Sequence, residues 1–186
     1  MQFDKAIHKV DSAVSKESCI KLIEYINVTC KEKAKLLVGT ENIEIKNQRD
    51  VYAYGLSPHH DNDKPYIKIV LGIMQQQLQE YMNIFSYLQQ LHIQGINLLK
   101  YEVGHFYKTH VDSWHTVNRQ ISFIINLNDD YEGGSIIFSH PTGRHAHKII
   151  DLKTGDLIIF PSNFMYPHEV RPITKGTRYS IVSWYA

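Results

Sequence analysis

From about residue 97 to residue 186 the chain consists of short apolar stretches separated by turn residues, the pattern of an all-β sandwich or barrel. Two of these stretches set the geometry. Residues 120–128 alternate, with Ile121, Phe123, Ile125 and Leu127 on one face and Gln120, Ser122, Ile124 and Asn126 on the other, because successive side chains of a strand point to opposite sides. Both faces must be used. Residues 177–185 alternate as well, placing Arg178, Ser180, Val182 and Trp184 on one side. If Trp184 faces the barrel interior, so does Arg178. A guanidinium there needs a partner, since removing one member of a buried ion pair costs ~3–5 kcal/mol. No nearby acid in the sequence supplies it. A ligand's carboxylate would, because a planar fork meets a carboxylate through two parallel hydrogen bonds.

A second constellation points to metal. His110-Val111-Asp112 is followed far downstream by His168, and Arg178 lies ten residues after that histidine. Two imidazoles and one carboxylate hold a divalent ion on one face and leave its other positions open. Residues i and i+2 of a strand share a side, so His110 and Asp112 can reach one ion while Val111 packs the other way. A lone His-x-Asp is weak in a chain with eleven histidines. The residues around it carry the argument.

The first 95 residues read as support. Ser15 or Ser18 can cap a helix running to about Lys33, with Cys19, Leu22, Ile23, Ile26 and Cys30 as its apolar stripe. Residues 38–57 predict one or two strands, residues 57–63 a polar turn, and Pro65 the start of a long helix to about Leu91. On that helix Ile67, Val70, Leu71, Met74, Leu78, Tyr81, Met82, Phe85 and Leu88 recur at helical spacing, which lays it against the barrel as a buttress. With no internal repeat or linker, the 186 residues are expected to form a single domain, 1–95 as helical support and lid region and 96–186 as the core barrel.

Composition excludes little but is consistent. A net charge of +1 gives no footprint for nucleic acid or membrane. The amino terminus lacks the basic-then-apolar pattern of a signal peptide, and no apolar run approaches the ~18 residues of a membrane span. Cys19 and Cys30 would lie ~16 Å apart along one helix and so cannot bridge. A reducing cytoplasm fits best. Nothing in the sequence indicates an oligomeric state.

The stretch from Tyr101-Glu102-Val103-Gly104-His105-Phe106-Tyr107-Lys108-Thr109-His110-Val111-Asp112 through Asn126-Leu127-Asn128, Tyr131-Glu132-Gly133-Gly134, Thr154-Gly155-Asp156 and His168-Glu169-Val170 to Lys175-Gly176-Thr177-Arg178-Tyr179-Ser180 and Trp184 resembles the prolyl 4-hydroxylase branch of the iron(II)/2-oxoglutarate dioxygenases. The resemblance covers roughly the last half of the chain in the right order. It implies a mainly β fold, a double-stranded β-helix (jelly-roll) barrel buttressed by amino-terminal helices. It also implies Fe(II) on His110, Asp112 and His168, and 2-oxoglutarate with its distal carboxylate on Arg178 and the Tyr101 hydroxyl. Asn126 and Trp184 would complete the co-substrate pocket. O2 would be consumed, and ascorbate could serve as reductant. Asp112 favours hydroxylation over halogenation, because halogenating relatives carry a small residue there. The chain departs from collagen-type enzymes in having Arg178 for a lysine and Ile136 for a threonine. In the oxygen-sensing branch a second tyrosine stands at the place of Asn126.

For substrate the resemblance points to Tyr107 and Trp184 as pocket walls and to Arg119 as a contact. Tyr107, Trp184 and Tyr101 read equally as packing aromatics, and Arg119 as a solvated strand-end charge. The implied partner is a peptide or protein carrying proline. A hydroxylase of a free amino acid or other small molecule shares the same signals, and a non-catalytic jelly-roll module shares the shape. A nucleic-acid demethylase would need an arginine where Trp184 stands. Residues 139–148, with His145 and His147, read as a loop without a metal role. Residues 47–63, with Tyr52 and Tyr54, are expected to fold over substrate as a lid.

Overall fold

The computed structural model describes residues 3–38, 41–43, 47–88, 91–143 and 145–186. Its strands are β1 (His8–Val10), β2 (Glu32–Lys33), β3 (Leu36–Val38), β4 (Glu41–Ile43), β5 (Arg49–Asp50), β6 (Tyr52–Gly55), β7 (Ile93–Tyr101), β8 (Phe106–His110), β9 (Ile121–Asn126), β10 (Glu132–Gly133), β11 (Ile136–Ser139), β12 (Ala146–Ile150), β13 (Leu157–Pro161), β14 (His168–Val170), β15 (Ile173–Lys175) and β16 (Arg178–Tyr185). Two helices, α1 (Lys16–Thr29) and α2 (Lys64–Ile84), precede β7.

A larger sheet runs β1-β13-β9-β16-β7-β6-β2 and a smaller one β12-β11-β14-β8-β5. From β7 to β9 the chain steps from the larger sheet to the smaller and back, and from β13 through β14 to β16 it does so again. Stepping between two antiparallel sheets in this way makes the expected double-stranded β-helix, a jelly roll. The register of β16 against β9 pairs Ser180 with Asn126, Val182 with Ile124 and Trp184 with Ser122. The inward faces of these two strands are therefore those inferred from alternation.

The other face of the larger sheet is closed by the helices. Leu22 and Ile26 of α1 and Val70, Met74 and Tyr81 of α2 pack with Leu98, Phe123 and Ile181 in one buried cluster. Full burial of each such side chain is worth about 1.5–3 kcal/mol. Ser15 caps α1, its Oγ accepting from the Ser18 amide at 3.2 Å. Cys19 and Cys30 are free and buried, and burial pushes both thiols up to about 11. No helix among the described residues is long and apolar enough to cross a membrane.

Several expectations are corrected. The first helix ends at Thr29, not Lys33, because Cys30 leaves helical geometry and Lys33 pairs with Tyr52 in the larger sheet. The second ends at Ile84, not near Leu91, where Phe85 turns back to put its ring 4.6 Å from that of Tyr81. The amino-terminal part is more than helical support: β1, β2 and β6 belong to the larger sheet and β5 to the smaller. β5 and β6 lie within residues 38–57, where strands were expected, and Val51 is fully buried between them. The loop expected over residues 139–148 is shorter, since β12 begins at Ala146 and pairs with β11.

Candidate active site and metal centre

His110 and His168 face each other in the smaller sheet, directly paired between β8 and β14. A bulge in β8 lies beside them, since Val170 pairs with Tyr107 instead of the residue that regular register would give. Such bulges re-aim side chains at barrel rims. The expectation that His110 and Asp112 share one strand is corrected: β8 ends at His110. Asp112 sits in the following bend, where its backbone amide and that of Ser113 both donate to the Ser162 carbonyl, at 3.1 and 2.9 Å.

The three side chains converge nonetheless. One ligand atom from each of His110, Asp112 and His168 lies within 4.8 Å of the others, and among the described residues this is the one group with metal-holding geometry. His147, expected to have no metal role, points Nε2 at Asp4, 2.8 Å away. The His110 Nδ1 lies 2.9 Å from the Lys108 carbonyl and the His168 Nδ1 3.2 Å from that of Tyr166. A carbonyl only accepts, so each Nδ1 carries the proton and each Nε2 keeps its lone pair for a metal. Those Nε2 atoms stand 3.6 and 3.7 Å from the two Asp112 oxygens.

At His168 and Asp112 electrostatics act in the same sense. Burial, and then the neighbouring His110, push the His168 imidazole down to about 4, with Asp112 opposing in part. Burial alone would raise the Asp112 carboxyl. His168 once protonated in acid, the contacts with His110 and the Ser122 hydroxyl overcome it and hold Asp112 well below the usual carboxylate range. Neutral imidazoles and an ionised carboxylate are what a metal requires. Ser122 Oγ donates to Asp112 Oδ2 at 2.7 Å and lies 2.7 Å from Ser162 Oγ. With its one proton given to the carboxylate, Ser122 must accept from Ser162. Neither serine was singled out in the sequence, although Ser122 shares the inward face with Asn126.

Deeper in the barrel Arg178 is 1% exposed. Its Nε donates to Asn126 Oδ1 at 3.0 Å, and its Nη2 is buried with no hydrogen-bond partner among the described residues. An unpaired guanidinium nitrogen in a barrel is costly, and a ligand carboxylate would satisfy it. The Asn126 amide is spent on the protein: Nδ2 donates to the Asn128 and Leu152 carbonyls, and Oδ1 also accepts from the Tyr131 hydroxyl at 3.3 Å. Asn126 therefore aims Arg178 instead of presenting its own amide to a ligand. Gly134 makes room: at φ +68° a Cβ there would lie 3.2 Å from Arg178 Cδ and 2.6 Å from Ile173 Cδ1. Tyr101, paired with Arg178 across β7 and β16, puts its ring 5.3 Å from the guanidinium.

A cavity of about 280 Å³ opens beside the triad, lined by Tyr101, His110, Asp112, His168, Tyr107 and Trp184 among others. The Tyr107 ring stacks on His110 with centroids 3.5 Å apart. Arg119 lies over the Trp184 ring at 3.6 Å, which makes it a cavity residue and not a solvated strand end. Burial lowers its pKa, Asp112 and Tyr107 offset part of this, and Arg49 adds to it. Arg49, Lys35 and Trp114 also line the cavity and were not expected there.

The family model of the 2OG-Fe(II) oxygenase superfamily matches residues 96–186. That stretch belongs to the 2OG-Fe(II) oxygenase superfamily. Its His-Asp-His triad and its buried arginine with an open Nη2 are the groups that iron and 2-oxoglutarate require. The chain is 28% identical over 116 residues to a PKHD-type hydroxylase of Idiomarina loihiensis, covering 60% of this chain and 51% of that one. It is 31% identical over 128 residues to a PKHD-type hydroxylase of Synechococcus sp. strain CC9902, covering 67% and 55%. The chain thus spans about half the length of these curated relatives. In structure it resembles a Pseudomonas putida prolyl-4-hydroxylase (TM-score 0.71, 19% identity, 97% of this chain and 91% of that). It also resembles a Trichoplax adhaerens prolyl hydroxylase solved with a peptide fragment of hypoxia inducible factor (TM-score 0.77, 17% identity, 97% and 83%). At these identities the likeness is one of fold.

Proposed function

We propose that this chain is an Fe(II)- and 2-oxoglutarate-dependent dioxygenase that hydroxylates a substrate C–H bond, releasing succinate and CO2, and that the substrate is a prolyl residue in a peptide. The observation that carries the reading is the buried, partnerless Nη2 of Arg178 in the barrel that presents His110, Asp112 and His168. His110, Asp112 and His168 would hold the iron, which supplies oxygen activation when bound. Arg178, aimed by Asn126, would hold the distal carboxylate of 2-oxoglutarate, with Tyr101 beside it. Tyr107 and Trp184 would wall the space in which the target C–H is kept close and water kept out. The prolyl substrate is supported by prolyl hydroxylases among the similar folds, one of them solved with a peptide.

The test is turnover. Protein with Fe(II), ascorbate, 2-oxoglutarate and O2 should release succinate slowly without substrate, and Asp112→Ala should abolish this. A proline-peptide library read by mass spectrometry should then show a +16 Da product. Succinate release without any hydroxylated peptide would retire the prolyl substrate; equal release by Asp112→Ala would retire the iron site.

A further inference from the structure

The cavity holds more positive charge than iron and 2-oxoglutarate consume. On the reading above, Asp112, the metal, the two carboxylates of 2-oxoglutarate and Arg178 balance one another. Arg49, Arg119 and Lys35 remain, and Asp112 is the one acid in the lining. Arg119 lies on Trp184 and points Nη1 at the Asp112 carbonyl at 3.5 Å. Arg49 places its guanidinium 4.6 Å over the ring of Tyr107, which itself stacks on His110. The Arg49 Nε is buried with no hydrogen-bond partner among the described residues. Two guanidiniums thus lie over aromatic rings in the cavity that holds the metal ligands, and a desolvated donor on one of them is left open. Arg119 also donates its Nε to Gln94 Oε1, whereas the buried Arg49 Nε has no such bond, and a donor left open beside a second guanidinium is costly, so an anion from outside is the compensating group.

We propose that the substrate carries a carboxylate next to the carbon to be hydroxylated, received by Arg49 and Arg119 on the open side of the metal centre. A planar carboxylate matches the guanidinium fork, and in a cavity this small the group must belong to the reacting residue or its immediate neighbour. Two sources fit that chemistry: the α-carboxylate of a free amino acid or carboxyl-terminal residue, and the side chain of an acidic residue beside the target in a peptide. Arg49 contributes specificity here, by contact with the substrate.

Both tryptophans of the chain, Trp114 and Trp184, line this cavity, so intrinsic fluorescence reads its occupancy without turnover. Protein loaded anaerobically with Zn(II) and saturating 2-oxoglutarate would be titrated with isosteric pairs. These are N-acetyl-L-proline against N-acetyl-L-prolinamide, the same pair built on leucine, and Ac-Gly-Pro-Asp-NH2 against Ac-Gly-Pro-Asn-NH2. In at least one pair the carboxylate member should bind about tenfold or more tighter than its amide, the scale of a charge-assisted contact. Which pair responds identifies the source. Arg49→Gln should reduce the preference to within about twofold, and Arg49→Lys should keep part of it. Amides that bind as well as carboxylates in every pair, no binding by any probe at millimolar concentration, or a full preference in Arg49→Gln would overturn the inference. Continued 2-oxoglutarate-dependent succinate release in that case would leave the dioxygenase reading standing. A preference confined to the leucine pair would retire proline and keep the carboxylate.

Discussion

Asn126 Oδ1 accepts a 3.0 Å hydrogen bond from Arg178 Nε, and the two residues belong to the paired strands β9 and β16. The bond fixes which guanidinium edge is left to a ligand. Asn126→Asp should therefore be informative, because it sets a carboxylate against the arginine and competes with the one from 2-oxoglutarate. The variant loses the Nδ2 bonds to the Asn128 and Leu152 carbonyls and should melt at lower temperature but still bind metal, while 2-oxoglutarate weakens at least tenfold in an anaerobic titration. Unchanged affinity would detach Asn126 from the co-substrate pocket.

Arg178 itself separates co-substrate from metal. Arg178→Ala should leave metal affinity nearly intact and weaken 2-oxoglutarate by ~2–5 kcal/mol, the cost of truncating one side of a buried charge pair. Arg178→Lys should fall between, keeping the charge but losing both the fork and the Nε bond to Asn126. The iron–keto charge-transfer band measures this directly. An unchanged band titration in Arg178→Ala would make the arginine purely structural.

Ser122 is expected to tune the metal through Asp112. Removing its hydroxyl in Ser122→Ala should lower affinity for Co(II) or Zn(II) by ~10–100-fold, as loss of a hydrogen bond to a ligating group does. Calorimetry on wild type, Ser122→Ala and Asp112→Ala should rank them in that order.

Acid stability should depend on Asp156, which is 2% exposed. Burial works to raise its carboxyl, but the hydrogen bond from Lys9, then those from the Lys153 and Ser12 amides, win and hold it below the usual carboxylate range. Because the folded pKa is below the unfolded value of ~3.9, the stabilisation is present above that value and is lost as pH falls through the folded one. Asp156→Asn should lower stability near neutral pH by about 1–3 kcal/mol and flatten the acid side of the melting-temperature profile. A profile of unchanged shape would reassign the acid transition.

Much of this was legible from periodicity. The alternation of residues 120–128 and 177–185 placed Arg178 and Trp184 on an inward face, and in the structure Trp184 lines the cavity while Arg178 is buried against Asn126. Helix ends were not legible, because Cys30 and Phe85 leave their helices where the chain must enter strands, and that demand comes from distant partners such as Tyr52. Asp112 was assigned to the metal by a strand argument that does not hold; its position comes from the Ser162 carbonyl, fifty residues away. Arg49 could not have been found, since only the pairing of β5 with β8 carries it to Tyr107.

The pairing of His110 with His168 couples two stretches of chain far apart in sequence. Side chains alternate with each residue, so a slip by one position between β8 and β14 would turn His168 out of reach of Asp112. A metal ion would then recognise one alignment of the strands and no other. At a hundredfold excess over its dissociation constant it would add ~2.7 kcal/mol to that alignment alone. An ion bound during assembly of the barrel would thus favour the native strand pairing over its slipped neighbours, before there is any substrate to oxidise.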